Sequence, residues 1–549
     1  MKRGIIGSIL GQNWWGVCRH LASRLFGSHS GGSLRATVLR NIFSQWTGYF
    51  IGAVIAFFLM PFLIHRLNDK TYGLWVLIGS VVGYFSFFDL GLRSSIGRYL
   101  AHYKAKGDID GLNRVASSSF LALLVLSAVI VLSVVVFSIF FPRLFHVPQE
   151  QANLVRLALI AVGITFALRF LTSFYEAVLW ANQRFDLLNV ADKGVQVLQA
   201  GVTVWVILAG GRLLALALVG LCAFSLQMGV EIWLSRREMP ELEIHPRHFS
   251  PGHLRQLWGY GFWSFIISLC QRLIWTTDKV VIGVIPALGT AMITIYAPAC
   301  RLYEYILNFI GSATVASGPA AVHIDATNDR SREHALLLVG TRLAFAVALF
   351  FLFFFAFSGK TFMRFWLGPR FEFSANLLTI LLACSSVGFS QGAPSSVIFA
   401  KAKHRPLAYA AVITTLISLG LMWPLGKAFG LMGIVCAIAV PSLVLSCTFS
   451  PIYVTMISGL SLRHYLLSGY LRAIPPAACV GILFWEADHL GLYSNIWQLG
   501  LGLLVGGALF VVLVYLMCFS TVERAAWVRL VRTPLRPQVA DSQPDETID

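Results

Sequence analysis

Residues 115–141 run without one charged side chain, and a stretch of that kind constrains the chain more than any other feature. A helix rising 1.5 Å per residue needs about 20 apolar residues to cross roughly 30 Å of hydrocarbon. Within lipid, only a helix or a closed barrel satisfies its own backbone. The pattern recurs along the 549 residues, of which only 12% are charged. Read by length and flanking charge, it predicts fourteen spans: 46–64, 72–92, 115–141, 154–179, 188–209, 213–234, 258–284, 292–316, 335–357, 375–400, 407–429, 432–454, 467–485 and 496–518. The expected fold class is an all-α polytopic integral membrane protein. The loop 235–257 carries Arg236, Arg237, Arg247 and Arg255 and marks the expected boundary between a first lobe (46–234) and a second (258–454), with 467–518 added after them.

The formal charge is +17, which in a soluble protein would suggest nucleic acid. Here the basic residues are scattered through short loops, and no nucleic-acid partner is expected. Cytoplasmic loops keep Lys and Arg while short translocated loops shed them. The N-terminus, the loops after even-numbered spans and the C-terminal tail hold 27 of the 42 Lys and Arg residues, the opposite loops 9. Both termini are therefore expected on the cytoplasmic side. Residues 1–45 contain six basic residues and no acid and read as a basic amphipathic surface segment. Residues 519–549 form a tail whose end, rich in Pro and polar residues from Thr533, reads as disordered. The nine cysteines have no CxxC or Cys/His spacing, so neither a metal nor a disulfide framework is expected, and no cofactor.

Charges inside spans are costly, about 2.5–3.5 kcal/mol each on the insertion scale, and mark either a wet pathway or a structural pair. Arg169 and Glu176 share a face of the fourth span. Asn189, Asp192, Gln196 and Gln199 form a polar stripe on the fifth, and Gln227 with Glu231 extends polarity to the sixth. Arg272 and Lys279 lie seven residues apart on one face of the seventh span, Asp278 lies about 100° from Lys279, and Arg301 and Glu304 pair at i, i+3 on the eighth. Asp89 and Arg93 form an i, i+4 pair at a helix end, and with Arg98 and Arg40 they read as an inner mouth or as orientation signals. Helix-locking ion pairs and interhelical amide contacts are the alternative for the other groups. Gly502 and Gly506 read as close helix packing. No Walker-type loop is present, and Glu486, Asp488 and His489 form the acidic cluster on the outer side, so little supports catalysis.

The stretch "MPFLIHRLNDKTYGLWVLIGSVVGYFSFFDLGLRSSIGRYLAHYKAKGD" (60–108) resembles the Wzx-type oligosaccharide flippases of the multidrug/oligosaccharidyl-lipid/polysaccharide (MOP) exporter superfamily. "TTDKVVIG" at Thr276, "IYAPACRL" at Ile295 and "FWLGPRF" at Phe365 resemble it too. Asn68 departs from the pattern, standing where the family usually has Gly before its "YG" pair. The resemblance implies two six-helix lobes in a V, as in MATE transporters, plus two C-terminal helices. It implies alternating access, with a polyprenyl-diphosphate-linked oligosaccharide moved from the inner to the outer leaflet of the bacterial cytoplasmic membrane. Membrane lipids, a polysaccharide polymerase and glycosyltransferases are the implied partners. Arg272, Lys279 and Arg301 are then expected to meet the diphosphate. Asp89, Glu176, Asp192, Asp278 and Glu304 are expected to balance charge or take a coupling ion, and Asn189, Gln196 and Gln199 to meet sugar. A cation-coupled small-molecule exporter, a lipid II flippase and a membrane-embedded glycosyltransferase or polymerase are the competing readings.

Overall fold

The computed structural model describes residues 32–89, 92–182, 184–252, 262–314, 317–327, 329–519 and 523–524. Residues 1–31 of the basic segment and the tail from Thr533 lie outside them. So do the side chains of Arg40, Asp89 and Arg93, although their backbones are helical.

Among the described residues, each expected span lies mainly on helix. The first half contains α1 (Gly32–Arg66), α2 (Asp69–Gly83), α3 (Leu92–Lys106), α4 (Ile109–Leu144), α5 (Gln149–Ala181), α6 (Phe185–Leu208) and α7 (Leu213–Glu238). The second contains α8 (Phe262–Val284), α9 (Gly289–Thr314), α10 (Ser317–Thr327), α11 (Arg330–Leu367), α12 (Glu372–Phe389), α13 (Gly392–Ala400), α14 (Arg405–Cys447) and α15 (Phe449–Ser458). α16 (Leu462–Gly469), α17 (Ile474–His489) and α18 (Ile496–Leu513) follow. Among the described residues, 8 helices are long and apolar enough to cross a membrane by length and composition, so that criterion does not establish the count of fourteen. The merging of spans is one reason. α14 joins two expected spans through Gly430, whose φ of 61° lies in the left-handed region that suits a residue without Cβ.

Three elements differ from the sequence expectation. α1 starts at Gly32, inside the segment expected to precede the first span. The second expected span is not one helix, since α2 ends at Gly83 and tightens into a 3-10 turn over Tyr84–Asp89. Asn68, the departure from the resembled motif, needs no glycine-like turn. It is extended (φ −71°), and its Oδ1 accepts the Thr71 N–H at 2.8 Å, capping α2.

The two halves repeat one packing pattern. In the first, α1 packs on α6, α2 on α5, α4 on α5 and α5 on α7; in the second, α8 packs on α14, α9 on α12, α11 on α12 and α12 on α14. The same connectivity recurs in each half, and α2 and α9 pack on each other across the middle. At one end this contact is backbone to backbone. A Cβ on Gly73 would fall 2.7 Å from the Thr290 carbonyl carbon and closer still to its oxygen. Around it, the Thr294 hydroxyl donates to the Asp69 carbonyl (2.7 Å), Arg370 pairs with Asp69 (2.7 Å), and the Trp366 indole donates to the Phe57 carbonyl (2.9 Å) while stacking on the Phe57 ring. We call this end the sealed rim.

The added C-terminal helices lie against α11. Gly481 accommodates Phe353, Gly506 accommodates Phe484, and Gly502 sits under Tyr493, so the GxxxG pair serves packing within the chain. Arg342, 2% exposed, fastens them: its Nε donates to the Ser468 carbonyl (2.7 Å), and its Nη1 donates to the Cys518 carbonyl (2.7 Å) and pairs with Glu523 (3.2 Å).

Candidate functional site

One face of α2 opens on a chamber. Tyr72, Trp75, Val76, Gly79, Ser80 and Gly83 recur at helical spacing and all line a cavity of about 620 Å³. A Cβ on Gly79 would touch nothing within 4 Å, so glycine there leaves space. The opposite wall comes from α8 and α9 with Trp275, Thr276, Lys279, Cys300, Arg301 and Glu304, and α6 contributes Gln196, Gln199 and Thr203. A second hollow of about 370 Å³ shares Gly83, Trp275, Thr276 and Glu304 with the first and adds Gln271 and Arg272. Each volume falls in the usual range for small-molecule sites.

The three cations expected at a diphosphate thus reach this space, each in a different setting. Arg301 is about half exposed, pairs with Glu304 at 3.0 Å, and carries its guanidinium 5.8 Å from the Tyr305 ring centre. Lys279 is 9% exposed. Its Nζ donates to the Trp275 carbonyl (2.8 Å) and pairs with Asp278 (3.1 Å). Asp278 is fully buried, accepts the Lys279 N–H (2.6 Å) and the Tyr296 hydroxyl (2.8 Å), and stands behind the wall, not on it. Arg272 is exposed and lines only the second hollow. Glu304 lines both.

The remaining candidates divide by what packs on them. On the α6 stripe, Gln196 and Gln199 line the chamber. Asn189 instead sits under α1, where a Cβ on Gly48 would come 3.2 Å from its Oδ1. Asp192 pairs with Lys193 (2.8 Å), and Lys193 also donates to Gln196 (3.1 Å). Gln227 donates to the fully buried Glu231 (2.9 Å), a contact within α7. Arg169 lies over the Phe224 ring at 5.5 Å, and Glu176 is half-buried; neither lines the two hollows. Arg98 is exposed on α3. The sequence does not single out the aromatic wall of Tyr72, Trp75 and Trp275, although the α2 stripe passes from large aromatic to small residues at helical spacing.

Two packed halves of helices with a charged chamber between them define a polytopic helical fold built around an internal cavity. The coordinates are similar to those of a multidrug resistance MATE family transporter of the MOP superfamily in an inward-facing conformation, with a TM-score of 0.62 over 81% of this chain and 99% of that one at 14% identity. The chain belongs to the polysaccharide biosynthesis protein family, whose model matches residues 38–324. It is 22% identical over 447 residues to the uncharacterized membrane protein EpsK of Bacillus subtilis, covering 80% of this chain and 86% of that one. It is also 23% identical over 409 residues to a putative O-antigen transporter of Shigella flexneri, covering 72% and 93%. It is a multi-pass integral membrane transporter.

Proposed function

We propose that this transporter is a flippase for polyprenyl-diphosphate-linked oligosaccharides. It would move them by alternating access from the inner to the outer leaflet of a bacterial cytoplasmic membrane, for assembly of a surface polysaccharide. The carrying observation is that Arg301 and Lys279 of one half share a chamber with Gln196 and Gln199 of the other. Isolated anions face tens of kcal/mol of desolvation in bare hydrocarbon, which a guanidinium can offset with two aligned N–H donors. The Arg301–Glu304 pair is open to water and therefore weak, so an incoming diphosphate can take the guanidinium from Glu304. The two amides offer donors and acceptors to sugar hydroxyls.

The excess of basic residues on one set of loops supports cytoplasmic termini and, with them, an outer position for the sealed rim of Asp69 and Arg370. The chamber is then loaded from within. An inside-negative potential assists, contributing about 2.3 kcal/mol per charge per 100 mV to moving an anion outward. Glu304 also faces the chamber, as an exporter of organic cations would require, and the test separates the two readings. In proteoliposomes the wild type exposes an undecaprenyl-diphosphate-linked glycan on the opposite leaflet, and Arg301→Glu and Arg272→Glu abolish exposure with insertion intact. Wild-type rates in both variants would refute the diphosphate role, and transport of a small organic cation without the glycan would establish the rival.

A further inference from the structure

Trp275 stands between the two cationic hollows and lines both. On α8 it follows Arg272 by three residues and precedes Lys279 by four, so the three side chains form one stripe along a helix face. The indole is backed by rigid structure. Its ring lies 4.6 Å from that of Tyr303 at 32°, and Tyr303 is held by its hydroxyl bond to Ser385 (2.9 Å) and by Phe389 (5.3 Å). The Trp275 carbonyl accepts Lys279 Nζ (2.8 Å), which ties the segment's backbone to the nearest cation. Half-buried and supported from behind, the ring offers a flat apolar face to the cavity.

A flat indole flanked by cations suits a particular ligand chemistry. An organic cation would be drawn to the ring face but repelled by Arg272, Lys279 and Arg301. A pyranose is neutral, carries an apolar face of C–H groups and is edged with hydroxyls, and in a lipid-linked glycan the first sugar is bonded directly to the diphosphate. Seating the diphosphate at Arg301 and Lys279 brings that sugar to the neighbouring indole and its outward hydroxyls toward Thr276, Ser80 and the amides of α6.

We infer that Trp275 is the platform for the sugar attached to the diphosphate, and so determines that the transporter takes glycosylated lipid over bare carrier. The inference rests on the flippase reading and assigns specificity within that site. The sugar recognised is the one at the phosphate end, so discrimination is independent of glycan length beyond it.

Detergent-purified full-length protein tests this with undecaprenyl diphosphate and the same lipid bearing one N-acetylhexosamine. The wild type is expected to bind the glycosylated lipid more tightly. Trp275→Leu weakens that lipid about tenfold, the scale of one lost aromatic contact, and leaves bare-lipid affinity within about twofold. Trp275→Phe and Trp275→Tyr keep the packing on Tyr303 and give intermediate losses on the glycosylated lipid alone, so they carry the test should the Leu variant not fold. Arg301→Glu loses both lipids. Equal losses of both lipids in the Trp275 variants, or no loss of the glycosylated one, would overturn the assignment while leaving the flippase reading in place. A wild type that binds neither lipid removes both.

Discussion

Substituting Gly73 with alanine is expected to unbalance the transport cycle through one methyl group. In the structure the added Cβ would lie 2.7 Å from the Thr290 carbonyl carbon, inside the 3.0 Å that real Cβ contacts respect. The obstacle is the backbone of α9, which cannot move aside as a flexible side chain would. The sealed rim must therefore open, and the neighbouring Thr294–Asp69 and Arg370–Asp69 contacts are stretched with it. Forced overpacking costs about 1–3 kcal/mol, and a differential of that size moves a two-state equilibrium by about 5- to 150-fold. Removing the exposed ion pair with Arg370→Ala provides the contrast, since such pairs contribute about 0–1 kcal/mol. Spin labels at exposed positions 70 and 287, in an otherwise cysteine-free chain, report the distance across the rim. The wild type shows mainly a short distance, Arg370→Ala nearly the same, and Gly73→Ala mainly a longer one with slowed transport. A short distance and wild-type transport in Gly73→Ala would refute the role of this contact in closing the rim.

Further outcomes follow from the buried charges and the polar wall. Lys279→Met leaves the Asp278 carboxylate buried without its cation and costs about 3–5 kcal/mol, read as loss of folded protein by fluorescence-detected size exclusion. Adding Asp278→Asn restores folding and leaves transport impaired, which separates the lysine's packing role from its place on the chamber wall. Arg342→Met removes the donor to the buried Ser468 and Cys518 carbonyls and one ion-pair partner of Glu523. It lowers thermal stability by a comparable amount and exposes the C-terminal helices to protease, while correctly folded molecules still transport. Gln199→Leu preserves stability and lowers the rate for the glycan-bearing lipid several-fold in proteoliposomes, whereas Asn189→Leu, at the α1–α6 contact, lowers stability instead.

Much of the fold was legible because lipid imposes a length and a polarity on every span, so residues 115–141 and 496–518 announce themselves. The tightening of α2 into a 3-10 turn after Gly83 was not, since an apolar run reads alike in either geometry. Among the site residues, the charges on α8 and α9 were visible because a charge inside a span stands out. Periodicity could not separate Asn189 from Gln196, which lie on one stripe and each face a glycine of α1, because only the position of the chamber decides which amide reaches it. Nor could it tell Arg342 from Arg301. One is fixed by groups far along the chain at Ser468, Cys518 and Glu523, the other opens on the cavity, and only tertiary structure separates them. Trp275 and the α2 aromatics carry no distinguishing signal in the sequence, because Trp and Tyr in a span look like ordinary lipid-facing residues until a chamber lies beside them.

On the proposed reading, Arg301 and its neighbours hold an acidic headgroup inside the chamber. Native mass spectrometry of the purified chain with an undecaprenyl-diphosphate-linked glycan tests it most directly. The wild type should retain one lipid-linked glycan per chain, with Arg301→Glu retaining none at the same concentration. Equal retention by the two proteins would contradict the claim.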